Sequence, residues 1–194
     1  RDSQAEFRFL GGDEMASQSG SAPIVHYKDM AYMGFSEVIK HLGSILGIMG
    51  KAKSAIRSFM PNAVILIDYP SFNLKIAKFA HQLGIPCFYF ISPKVWAWKS
   101  WRVNDIKKHI TALYSILPFE PQWFAERNYT AQYVGNPSVK EIEQARAGFM
   151  TRSEFCQAHG IGDSLPIVAI VPGSRQKEIR DNLPVMLDPA SSFS

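Results

Sequence analysis

The run at residues 63–67 (AVILI) is wholly apolar, stops abruptly at Asp68-Tyr69-Pro70-Ser71, and is followed by a helical pattern over 73–83 with Gly84 as its stop signal. So short a run makes a poor helix. With no polar alternation it predicts a strand buried on both faces of a parallel sheet. The alternation recurs along the chain. Residues 5–10 (AEFRFL) predict a strand ending in Gly11-Gly12, with a polar loop through Pro23. Residues 86–91 (PCFYFI), 112–116 and 131–134 predict further strands, and 101–109 and 118–128 the helices between them. Strands separated by helices of this length form βαβ units, so the expected class is α/β: a Rossmann-like parallel sheet flanked by helices.

Two other regions extend this plan. Over 34–60, Phe35, Val38, Ile39, Leu42, Ile45, Leu46 and Met49 recur near helical spacing, but Gly43, Gly47 and Gly50 interrupt them and predict two helices or a kinked one. Residues 139–159 are helical and charged with a break near Gly148; 167–171 (IVAIV) predict a fresh buried strand, and Pro172-Gly173-Ser174-Arg175 opens another helix. The expected division is a first Rossmann-like domain over 1–145, then a linker helix and the first strand-turn-helix of a second over 146–194. The chain opens on Arg1 close to a strand and ends in a Pro/Ser tail just after a new unit begins, so it is expected to be a fragment.

Composition narrows the functional classes. The 194 residues are 46% hydrophobic and 20% charged, which is globular and excludes a wholly disordered chain. Lys+Arg 21 against Asp+Glu 17 gives +4, a mild excess that suits phosphates or an anionic membrane surface but not a dedicated nucleic-acid binder. Cys87 and Cys156 stand apart, with neither metal-ligand spacing nor a disulfide framework, and fit a reducing cytosol. The histidines show no metal spacing either, so no metal and no cofactor are expected. No apolar run approaches the roughly 18 residues of a membrane-spanning helix.

Four places carry candidate chemistry. Asp68 emerges where a strand ends, and ligands of open α/β sheets bind outside the carboxyl ends of the strands; the same residue also fits a carboxylate that only caps a βα turn. Pro172-Gly173-Ser174-Arg175 has a small-residue turn to aim backbone N–H groups at an anion and an arginine to clamp it, and equally fits a plain tight turn. Trp96, Trp98 and Trp101 lie among Lys94, Lys99 and Arg102. That stretch reads as the lining of a sugar and phosphate pocket, as a membrane-interface anchor, or as a single-stranded nucleic-acid platform without a surrounding nucleic-acid module. The apolar region from Met33 to Met49 covers more than one helical stripe, leaving hydrophobic surface for an acyl chain or a bilayer beyond its own core. Ser71 and Ser174 lack the elbow of an esterase nucleophile.

Taken in order, Ile67-Asp68-Tyr69-Pro70-Ser71-Phe72-Asn73-Leu74, Ser92-Pro93-Lys94-Val95-Trp96-Ala97-Trp98, Leu117-Pro118-Phe119-Glu120, Val134-Gly135-Asn136-Pro137 and Pro172-Gly173-Ser174-Arg175 closely resemble the lipid-A-disaccharide synthases, with Met33-Gly34-Phe35-Ser36-Glu37-Val38 similar to that family's early helix. The resemblance runs to about Pro184, and 188–194 do not look like family sequence. It implies a GT-B architecture, two Rossmann-like domains facing a cleft. The implied reaction is inverting transfer of diacylglucosamine from its UDP derivative to diacylglucosamine 1-phosphate, forming a β-1,6 disaccharide and releasing UDP. It implies Asp68 as the base for the attacking 6-hydroxyl and Arg175 for the donor's phosphates. Asn73, Ser92, Lys94, Trp96 and Trp98 are then expected around the acceptor, and Met33, Phe35, Val38, Leu42 and Leu46 against acyl chains or membrane. The implied location is peripheral, on the cytoplasmic face of the inner membrane. Two departures stand out: the family's usual Ala and Asp beside Asp68 are here Tyr69 and Ser71, so a second carboxylate is absent. The family's glycine-rich first turn is expected before Arg1 and most of the nucleotide-binding half after Leu187, so residues 1–194 alone are expected to be inactive. The alternatives are another GT-B UDP-sugar enzyme, an epimerase or a peptidoglycan-precursor transferase, and a non-catalytic lipid- or membrane-binding fragment.

Overall fold

From the amino end, β1 (Leu10–Gly11) and β2 (Val25–His26) pair in parallel, Leu10 opposite Val25, with α1 (Asp13–Ser19) between them. The strand expected over 5–10 is therefore confined to its end, and the expected polar loop holds a helix whose first turn carries Asp13 and Glu14, the charge a helix amino end favours. The computed structural model describes residues 4–29, 42–162, 164, 166–174 and 176–190. It divides into two compact units, Arg1–Glu141 and Ile142–Ser194.

In the first unit α2 (Leu42–Phe59) runs unbroken through Gly43, Gly47 and Gly50, so over these residues the expected interruption is absent. Glycine weakens a helix interior by about 1 kcal/mol relative to alanine, but Ile48, Met49 and Ala52 are buried and hold the helix by packing. Next come β3 (Val64–Ile67), α3 (Pro70–Gln82), β4 (Cys87–Phe90), α4 (Val103–His109), β5 (Ala112–Ser115), α5 (Glu120–Ala125) and β6 (Ala131–Tyr133). The four strands lie in the order β3-β4-β5-β6, every neighbouring pair parallel. This is the α/β, Rossmann-like arrangement expected, and all four strands deliver their carboxyl ends to one edge of the sheet.

Register explains which side chains form the core. Leu66, Tyr89 and Leu113 stand opposite one another on successive strands and are almost wholly buried. Helix α3 packs on β3 and β4 through Phe72, Leu74, Ile76, Ala77, Phe79 and Ala80, with α2 and α4 beside it. Burying each large side chain of that stripe contributes about 1.5–3 kcal/mol. The alternate row, Ile65 opposite Phe88 and Ile67 opposite Phe90, is different. Ile65 is 64% and Ile67 47% exposed, against 4% for Leu66. The expectation that 63–67 is buried on both faces is thus corrected: among the described residues β3 is an edge strand covered on one face.

The second unit contains the end of α6 (Pro137–Ala145), a short 3-10 turn over Arg146–Gly148, α7 (Arg152–His159) and α8 (Gln176–Ala190). Thr151 and Glu154 close a reciprocal capping box at the start of α7. The break expected near Gly148 is present. The strand expected over 167–171 is not: no strand pairs with these residues among those described, and Val168 and Val171 stand 67% and 78% exposed. An apolar run becomes a buried strand only where a neighbour takes its backbone hydrogen bonds. Among the described residues no helix is long and apolar enough to cross a membrane.

Candidate active site at the carboxyl ends of the strands

Asp68 follows β3 directly, and both Asp68 and Tyr69 are left-handed, each with φ of 47°. Neither is glycine, so the turn needs outside support. It has it. The Asp68 amide donates to the Phe90 carbonyl at 3.0 Å. The Asp68 carbonyl accepts from Asn73 Nδ2 at 2.6 Å and from the Tyr89 hydroxyl, and Asn73 Nδ2 also reaches the Ile67 carbonyl at 3.0 Å. Pro70 opens α3 with its missing N–H at no loss. The Asp68 side chain itself is exposed and has no hydrogen bond or ion pair among the described residues. Asn73, expected in the acceptor pocket, holds the turn that presents Asp68.

Tyr89 is fully buried, and burial, followed by the negative charge of Asp68, lifts its hydroxyl well above the ordinary tyrosine range; Arg102 opposes this. The hydroxyl, kept protonated by this shift, donates to the Asp68 carbonyl. Arg102 Nη2 donates to Ser71 Oγ at 3.3 Å, so a cation stands beside the turn that carries the carboxylate. Ser71 lies in the first turn of α3, which has no side-chain cap.

The segment after β4 leaves the sheet through Ile91, φ 61°. Ser92 is fully buried, its amide bonded to the Tyr114 carbonyl and its hydroxyl directed to the Pro93 carbonyl at 3.4 Å. In this structure the side chain of Ser92, expected near the acceptor, belongs to the wall behind the segment. Beyond it, Lys94 Nζ and Trp96 Nε1 both donate to Glu120 Oε1, each at 3.1 Å. Trp96 also stands edge-to-face with Phe119, ring centroids 5.0 Å apart. Trp98 and Trp101 are 55% and 66% exposed, with Lys99 Nζ 4.0 Å from the Trp98 ring centroid.

Of the apolar candidates, Met33, Phe35 and Val38 lie outside the described residues, as does the side chain of Leu42; Leu46 is on α2 and 61% exposed. In the second unit Arg175 is likewise outside them. The turn before it is described: Gly173 has φ of 118°, a conformation suited to glycine, and a Cβ there would meet Glu178 Cβ at 2.8 Å. The Ser174 amide donates to Glu178 Oε2 at 3.2 Å and Asn182 Nδ2 to the Pro172 carbonyl at 2.9 Å. A carboxylate thus already uses this turn as an acceptor would.

The pattern of one known family, described as lipid-A-disaccharide synthetase, matches residues 1–194. This chain belongs to the lipid-A-disaccharide synthetase family. The match includes residues 188–194, which correspond to no family motif read from sequence alone. Among curated relatives, the lipid-A-disaccharide synthase of Acidobacterium capsulatum is 38% identical over 189 residues, covering 97% of this chain and 46% of the relative. Those of Koribacter versatilis and Syntrophus aciditrophicus are 35% and 40% identical, covering 95% and 84% of this chain and 47% and 41% of themselves. The chain spans about half the length of the curated relatives it matches.

In this lipid-A-disaccharide synthetase family member the structure brings Asp68, Asn73 and Tyr89 together at one strand end, with Arg102 on Ser71, and Lys94, Trp96 and Glu120 together at the next. Arg102, Tyr89 and Glu120 were not among the site residues expected. Arg102 had a signal, since it closes the Trp/Lys stretch. Glu120 had one too, as the last residue of the Leu117-Pro118-Phe119-Glu120 motif, but an acid opening a helix ordinarily reads as a solvated partner of the helix amino end.

Proposed function

We propose that the protein of which this chain is part transfers diacylglucosamine from its UDP derivative to the 6-hydroxyl of diacylglucosamine 1-phosphate, with inversion at the anomeric carbon and loss of UDP. The observation that carries this is Asp68: in a member of this family, an exposed carboxylate without a protein partner, among the described residues, stands on a backbone turn that is clamped rather than free. As general base Asp68 takes the proton of the attacking hydroxyl, whose oxygen bonds to the anomeric carbon as the bond to the diphosphate oxygen breaks. Lys94 and Arg102 offer cations for the acceptor's phosphate. Arg175, carried over from the resemblance, is assigned to the donor's diphosphate, where charge grows as the leaving group departs.

The lipid substrates also need a protein that meets a bilayer, and we place it peripherally on the cytoplasmic face of the inner membrane. Exposed Trp98, Trp101 and Leu46, with Lys99 beside Trp98, support that reading. The test is transfer between both lipid substrates by the intact protein and by D68N. Loss of at least about a hundredfold in kcat supports the base; near-wild-type turnover contradicts it.

A further inference from the structure

Glu120 is the one described carboxylate that is fully buried, and it does not touch Asp68's turn. Its Oε1 takes two donors from the segment after β4, Lys94 Nζ and Trp96 Nε1, while Oε2 is buried with no hydrogen-bond partner among the described residues. As a stabilising device this is poor. Withdrawing a carboxylate from water is repaid only when its lone pairs are well satisfied, and an apolar residue of similar size often serves stability as well.

What the arrangement provides is position. One oxygen fixes two side chains, two residues apart, at a strand's carboxyl end, and Phe119 braces the Trp96 ring from the same turn. Lys94 is 37% exposed at its side chain. An ammonium has three protons to donate, and among the described residues Glu120 is its hydrogen-bond partner, so Lys94 presents donors outward from a fixed origin. The rotamer freedom that a lysine loses on meeting a ligand is here lost in advance.

We propose that Glu120 is a positioning residue: through its single shared oxygen it sets Lys94 and Trp96 so that the lysine meets the phosphate of the acceptor. The second half of this statement rests on the transferase reading above; the first half does not.

The experiment uses the intact protein with E120A, E120Q, K94A and the E120A/K94A pair, folding being checked by circular dichroism. The first readout is the Trp96 indole N–H resonance, assigned with W96F and recorded without substrate. E120A shifts it upfield, whereas E120Q, which keeps an amide oxygen for the indole, leaves it near its wild-type position. The second readout is kinetic: E120A raises KM for diacylglucosamine 1-phosphate about tenfold, leaves kcat and the donor's KM within about threefold, and adds nothing in the K94A background, while E120Q, which keeps the shared oxygen, loses less. An unmoved Trp96 resonance in E120A overturns the positioning claim whatever the reaction. Losses that multiply in the double variant, or that fall on kcat or the donor, overturn the link through Lys94. The stated E120A shift in a protein whose wild type transfers no sugar counts against the transferase reading alone.

Discussion

Asp68 and Tyr69 adopt left-handed conformations in succession, and hydrogen bonds, not glycine, keep them there. Asn73 alone supplies two of these, to the Ile67 and Asp68 carbonyls. Replacing it with alanine is expected to cost about 1–2 kcal/mol of stability, measured by denaturant unfolding, and to lower kcat as the turn relaxes. The position of Asp68 was legible because an apolar run ending in a polar turn marks a strand's carboxyl end. The role of Asn73 was not, since nothing in its spacing shows that its amide faces back toward the strand. The burial of Ser92 was not legible for the converse reason: it sits in a distinctive motif, but the chain leaves β4 through a left-handed Ile91 and the serine is buried.

At the scale of elements, burial decides what periodicity leaves open. The alternation predicted β3, β4, β5 and β6 and the helices between them, but AVILI could not say how many of its faces are covered. Leu66→Ala should cost about 2–5 kcal/mol. Ile65→Thr, on the open face, should stay within about 0.5 kcal/mol. Equal losses would contradict the one-sided sheet. Helices α3 and α4 meet at His81 and His109, whose rings lie 5.4 Å apart. His109 is 6% exposed with Nδ1 unpartnered among the described residues, and burial, then His81, hold its pKa below the usual histidine value. Protonation therefore favours the unfolded chain. The stability is complete above the unfolded value of about 6.5 and falls as pH drops through that value toward the lower folded one. His109→Leu should flatten this acid limb of the unfolding curve; an unchanged limb would remove His109 as its source.

Over these 194 residues the charge balance is only +4, so the proposed attraction to an anionic bilayer needs local features and not a general field. Trp98, Lys99 and Trp101 are such a feature, whereas Trp96 is held by Glu120 and Phe119. In flotation with vesicles containing anionic lipid, the W98S/W101S variant should bind about threefold or more weakly than wild type; equal binding would exclude this segment as the contact. The fold class was readable from the alternation and the family from ordered motifs, of which those at 67–74, 92–98, 117–120 and 134–137 follow strands whose carboxyl ends the fold brings to one edge. The tertiary partners of Arg102 and Glu120 were not, because they lie in the first turn of α3 and in the segment after β4, which no local pattern ties to them.

The account turns on the charge of Asp68, and asparagine isolates it, since asparagine tolerates left-handed backbone and leaves the clamped turn in place. With unfolding midpoints matched, D68N in the intact protein should lose at least about a hundredfold in kcat for sugar transfer to the acceptor. A variant that keeps more than half the wild-type rate would show that some other group takes the proton.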